Sequence, residues 1–173
     1  MKEIYVLRHA EKDATGNLTE EGKAIALELS KRLGQFDFIY SSDTPRAIAT
    51  AVLLIGKQPV IDARAGAIPL TFEETRNTHE QGKLHAFGVA GVLFDGDIYR
   101  PKIIEKGKEL VELIQELWGK LSDDGCALII SHDGVMVAAD MILLNMELRK
   151  AEKTYGPLQG FRVFGNLSVE DLK

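Results

Sequence analysis

Four residues that lie far apart in the chain could together handle an anionic group: the neighbours Arg8 and His9, then Arg46, then His132. Arginine carries a permanent charge and a planar fork of donors that matches phosphate oxygens. Histidine is neutral and nucleophilic, or charged and donating, near ordinary pH. Two of each suit phosphoryl transfer, where positioning and charge stabilisation supply most of the catalysis. The chain has a net charge of −5 over 173 residues, so any anionic substrate must be drawn by a local basic cluster. The same balance gives no support for a nucleic-acid or membrane-surface partner. Each piece alone is a weak signal. An Arg-His pair after a strand is usually a surface feature, and His132 could simply cap a helix.

The elements that must position these residues read as alternating strands and helices. Residues 3–8 are β-rich and apolar, a buried strand that ends on a charge. Residues 20–33 read as a helix, with Thr19 as N-cap, Glu20 and Glu21 in the first turn, and an apolar face of Ile25, Ala26, Leu29 and Leu33. A short strand over 36–40 leads into Ser41-Ser42-Asp43-Thr44-Pro45, a helix start, and that helix runs to Gly56. Residues 103–121 give the clearest helix, 127–131 a buried strand, 135–146 an apolar helix, and 161–167 a last strand at an edge. The alternation predicts an α/β fold, a three-layer α/β/α sandwich with a mostly parallel sheet. Sites in such sheets lie beyond the carboxyl ends of the strands, which is where Arg8-His9, Ser41-Ser42 with Arg46, and Ser131-His132 fall.

The totals bound the rest. A chain of this size forms one domain, here residues 1–173 with a short lid-like insertion around 57–102. No apolar run approaches the ~18 residues of a membrane span, and the N-terminus meets Arg8 and Glu11 too soon for a signal-peptide core. The single cysteine, Cys126, cannot form an internal disulfide, so the expected location is cytoplasmic. Four histidines without ligand spacing make no metal site, and no cofactor is expected. Trp118 and the methionines at 136, 141 and 146 read as packing. Oligomeric state is open.

Leu7-Arg8-His9-Ala10-Glu11, Leu18-Thr19-Glu20-Glu21-Gly22, Tyr40-Ser41-Ser42-Asp43-Thr44-Pro45-Arg46-Ala47 and Ser131-His132-Asp133-Gly134 resemble, in order, the motifs of the histidine phosphatase superfamily. This is the phosphoglycerate mutase-like group, and the resemblance is to its first branch. It implies that His9 becomes phosphorylated, while Arg8, Arg46 and His132 bind the phosphoryl group with Ser131 beside them. It also implies a general acid among glutamates beyond Arg46. Glu73, 27 positions after Arg46, has the family's spacing and is assigned that role, with Glu74 as fallback and Asp133 as rival or helix cap. His79 and His85 lie in a polar segment and read as exposed, though within possible reach of substrate. The expected activity is metal-independent hydrolysis of phosphomonoesters, with a small phosphorylated metabolite favoured. The alternatives are a phosphohistidine-protein phosphatase, a mutase-type phosphoryl transfer, or a phosphoryl-binding module without catalysis.

Overall fold

The structure is a computed structural model that describes residues 1–172. Strands β1 (Glu3–Arg8), β2 (Phe38–Ser41), β3 (Val60–Ile61), β4 (Cys126–Ser131), β5 (Gly160–Phe164) and β6 (Ser168–Leu172) form a single sheet in the order β3-β2-β4-β1-β5-β6. The first four pair in parallel, and β5 and β6 add antiparallel. Alternation decides which face each side chain takes. Ile4 and Val6 of β1, with Ala127 and Ile129 of β4, face the core under α4 (Gly88–Asp95), α5 (Arg100–Lys120) and α6 (Asp133–Leu143). Leu7, Leu128 and Ile130 face the opposite core, closed by α1 (Glu20–Ser30) and α2 (Pro45–Ile55). Central β4 is therefore covered on both sides, as its continuous apolar run requires. The result is the α/β fold of three layers.

Register sets up the functional edge. Leu7 lies beside Ile130, Arg8 beside Ser131, and Ser41 beside Ile130, so β1, β2 and β4 end together. On the other side of β1, Gly160 lies opposite Leu7, and a Cβ there would sit 1.9 Å from the Val6 carbonyl oxygen. Only glycine lets β5 approach β1 just below Arg8.

The elements differ from the sequence reading where side-chain pattern and chain path part. The first helix ends at Ser30, not 33, because the Lys31 N–H turns back to the carbonyls of Glu28 and Leu29. The last strand is a hairpin rather than one edge strand. Gly165 and Leu167 adopt φ of 56° and 59° and reverse the chain, so β5 is interior and β6 takes the edge. The segment 57–102 contains more structure than expected, including α3 (Phe72–Gly82) and α4. Helix α3 starts on a full capping box: Thr71 accepts from the Glu74 N–H while Glu74 accepts from the Thr71 N–H. No helix among the described residues is long and apolar enough to cross a membrane.

Candidate active site

His9 is the first residue beyond β1. Its backbone N–H donates to the Ser131 carbonyl at 3.2 Å, and the next amide, of Ala10, donates to Thr50 Oγ1 at 3.0 Å. The ring is buried, and its Nδ1 lies 2.7 Å from the Ala10 carbonyl, which can only accept. Nδ1 therefore carries the proton, and Nε2 keeps its lone pair. That nitrogen meets Arg46, whose Nε donates to it at 3.1 Å. Arg46 is the second residue of α2, just after the proline that starts the helix. Its Nη2 lies 3.3 Å from Nδ1 of His132, so one guanidinium spans both imidazoles, whose centroids are 5.2 Å apart. His132 Nδ1 accepts from Arg46, so its Nε2 holds the proton toward Ser42 Oγ at 2.9 Å. Both rings thus have fixed tautomers.

Arg8 is held from the far side of the sheet. Its Nη1 donates to the Tyr155 carbonyl and lies 3.9 Å from Asp133 Oδ2. Asp133 in turn accepts from the Tyr155 N–H at 2.7 Å and from Thr154 Oγ1 at 2.8 Å. The carboxylate therefore fastens the 154–155 segment, whose Tyr155 carbonyl accepts from Arg8. Its first position in α6 is also favourable for a negative charge.

These side chains open into a cavity of about 310 Å³, walled by Arg8, His9, Arg46 and His132 and by Lys12, Thr75, Thr78 and His79. Ile68, Leu70, Val89 and Leu93 make its apolar side. Such a volume is at the lower end of the usual range for small-molecule sites, roughly 300–1,000 Å³. Burial, with Arg46, Arg8 and Lys12 adding repulsion, lowers the His9 pKa from 6.5 to about 3. His132 is likewise pushed well below its ordinary value by burial, and then by His9, Arg46 and Arg8. His9 is therefore a neutral imidazole throughout the ordinary pH range, with the lone pair of Nε2 free of a proton. Burial also raises the Asp133 carboxyl, against the pull of Arg8.

Both histidine pKa values fall below 6.5, so the unfolded chain binds protons first as pH drops. Stability contributed by these neutral rings is full above about pH 6.5 and is lost progressively toward the folded value near 3. The melting temperature is expected to fall between pH 7.5 and pH 5 in wild type, and to fall less in a His9→Gln, His132→Gln double variant. Identical pH slopes in the two proteins would contradict this electrostatic picture.

The structure brings Arg8, His9, Arg46 and His132 together and leaves two other expected residues apart. Ser131 is fully buried, donates to the Ala65 carbonyl at 2.8 Å, and does not line the cavity. Glu73 is exposed on the first turn of α3 and is outside the cavity wall. The cavity face of α3 is Thr75, Thr78 and His79, at the i, i+3, i+4 spacing of a single helix face, and Glu73 falls on the opposite side. Glu74 is used in the capping box. His79 is half-buried on the cavity wall rather than exposed, while His85 lies 3.0 Å from Asp95 away from it. Lys12 is the cationic wall residue that the sequence reading passed over. Its signal was a position three residues past His9, on the same exit from β1. Among the described residues no group of three or more histidine, cysteine, aspartate or glutamate side chains is arranged to hold a metal.

Solved structures with the same architecture include a mycobacterial glucosyl-3-phosphoglycerate phosphatase complexed with VO3, 20% identical with a TM-score of 0.72, covering 99% of this chain and 97% of that one. A phosphoserine phosphatase from Entamoeba histolytica, complexed with 3-phosphoglyceric acid, is 22% identical with a TM-score of 0.70, covering 100% and 98%. A phosphoglycerate mutase from Bacillus anthracis is 19% identical with a TM-score of 0.69, covering 98% and 90%. At these identities the likeness is one of fold. A comparison with curated protein sequences gives no match. The histidine phosphatase superfamily (branch 1) matches residues 4–163, a span that takes in both arginines, both histidines and every strand but the last. The chain belongs to that superfamily, in its first branch.

Proposed function

We propose that this protein is a phosphatase that hydrolyses small phosphomonoesters through a phosphohistidine on His9. The observation that carries the reading is the arrangement around Nε2 of His9: a deprotonated, buried nitrogen with the Arg46 fork 3.1 Å away and His132 on that fork's other arm. Nε2 attacks phosphorus in line as the ester oxygen leaves opposite it. Arg46, Arg8 and His132 take the equatorial oxygens, where charge resides in a loose transition state. A phosphate dianion among these cations answers their mutual repulsion, while burial keeps the His132 pKa below its ordinary value. Water then cleaves the phosphorus–nitrogen bond, releasing phosphate and neutral His9.

The cavity size supports a small substrate. A second reading, release of phosphate from phosphohistidine proteins, is favoured by one observation: Glu73 does not line the cavity, and imidazole departs without an acid.

The test is steady release of p-nitrophenol from its phosphate ester, together with an acid-labile phosphoryl label on His9 after rapid quenching. Excess chelator is expected to leave the rate unchanged. Arg8, Lys12 and Arg46 would repel a divalent cation, and the wall's carboxylate, Asp133, is already engaged with Thr154 and Tyr155. Activity lost to chelator and restored only by a divalent ion would overturn the metal-free scheme.

A further inference from the structure

The cavity contains the nucleophile and its cationic clamp but lacks a free carboxylic acid to protonate a leaving alkoxide. Asp133 is the wall's carboxylate, and both its oxygens accept hydrogen bonds from the 154–155 segment. Glu73 is on the far side of α3. The titratable group that α3 does deliver is His79, half-buried and facing the same space as Nε2 of His9. Its placement is fixed from behind. One turn later Gly82 meets α4 so closely that a Cβ would lie 2.9 Å from Val89 Cγ2 and from the Val89 backbone nitrogen. Thr78, beside it, is buried, and its hydroxyl donates to the Thr75 carbonyl at 3.0 Å.

Resting on the phosphatase reading above, we propose that His79 is the proton donor and acceptor of the reaction, in the place a carboxylic acid would occupy. As His9 Nε2 forms its bond to phosphorus and the ester P–O bond breaks, the His79 imidazolium gives its proton to the departing oxygen. Neutral His79 then takes a proton from the attacking water as the P–N bond breaks, so the cycle returns both rings to their starting states. The groups around His79 set when it is charged. Burial, followed by Lys12, Arg8, Arg46 and Lys83, disfavours its proton, while the bound phosphate dianion answers those cations and favours it. The substrate class that follows is alkyl phosphate monoesters, whose leaving groups need a proton, in addition to aryl esters, which do not.

The test is kcat/KM for p-nitrophenyl phosphate and for an alkyl phosphate such as phosphoserine, in wild type, His79→Gln, His79→Asn and Glu73→Gln, with folding checked by thermal melting. His79→Gln is expected to slow the alkyl ester roughly 100- to 10,000-fold, the usual worth of such a proton transfer, and the aryl ester only slightly. His79→Asn, the smaller amide, should show the same selectivity and serves if the glutamine variant fails to fold. Equal losses on both esters, or none, in either folded variant would overturn the assignment. A selective alkyl defect in Glu73→Gln with none in the His79 variants would return the role to Glu73. Wild type that turns over the aryl ester but not the alkyl one would overturn His79 as acid while sparing the phosphatase reading. Turnover of neither ester would overturn both.

Discussion

Replacing His9 with alanine is expected to abolish phosphate release while leaving the protein folded. The side chain makes two hydrogen bonds, donating to the neighbouring Ala10 carbonyl and accepting from Arg46 at the cavity wall, where solvent or phosphate can replace it. Truncation extends an existing cavity instead of opening a hole in either hydrophobic core. The chemistry has no such reserve. Without Nε2 there is no atom at that position to accept the phosphoryl group, and Arg8, Arg46 and His132 can only hold the ester. Loss of a nucleophile in a comparable covalent mechanism costs on the order of a million-fold in kcat. Phosphate binding should survive, because its donors remain. The check pairs single-turnover phosphate release with a melting curve and equilibrium binding of inorganic phosphate. A folded variant that keeps more than a few per cent of activity would remove His9 from the nucleophile's role.

The site was legible where sequence and backbone impose the same constraint. Arg8-His9 and His132 directly follow apolar strand runs, and a parallel sheet puts those strand ends side by side whatever the loops do. Arg46 is the second residue of a helix whose proline start is plain in Ser42-Asp43-Thr44-Pro45. Reading α3 was harder because its segment lacks a strong apolar stripe: only Thr78 and Gly82 are buried in it. Its presence was nonetheless written in Thr71-Phe72-Glu73-Glu74, the capping-box pattern, which fixes the helical phase and shows that Glu73 and His79 lie on different faces. Linear spacing from Arg46 carried no such phase information. Ser131 illustrates the same limit in a strand. Its place in the motif suggested substrate contact, but its hydroxyl is fully buried and donates to the Ala65 carbonyl, a partner far along the chain that the motif does not show. The final hairpin was missed because Gly165-Asn166 stands between two short runs that together resemble one strand.

The second large effect is expected from Arg46→Lys, which conserves charge and removes geometry. Two different nitrogens of Arg46 reach two different rings, at 3.1 Å from His9 and 3.3 Å from His132. A planar fork can turn those same donors onto two oxygens of one phosphoryl group while staying in register with the nucleophile. A lysine ammonium is a single point on a flexible stem and cannot serve both positions. The helix should tolerate the change, because lysine and arginine have similar helix propensities and the apolar residues of α2, Ala47, Ala51 and Leu54, do the packing. The loss therefore belongs to the transition state. By analogy with removal of one preorganised donor it is about 3 kcal/mol, or roughly 100- to 200-fold in kcat/KM. The three oxygens flatten toward one plane only in the transition state, where the planar fork fits them best, so the defect should appear mainly in kcat, with KM raised by a smaller factor. Kinetics with p-nitrophenyl phosphate suit the measurement, because its leaving group needs no proton and isolates the clamp from proton transfer. Near-wild-type kcat in a folded Arg46→Lys protein would mean that charge alone suffices at this position and that the two-pronged contact has no part in the chemistry.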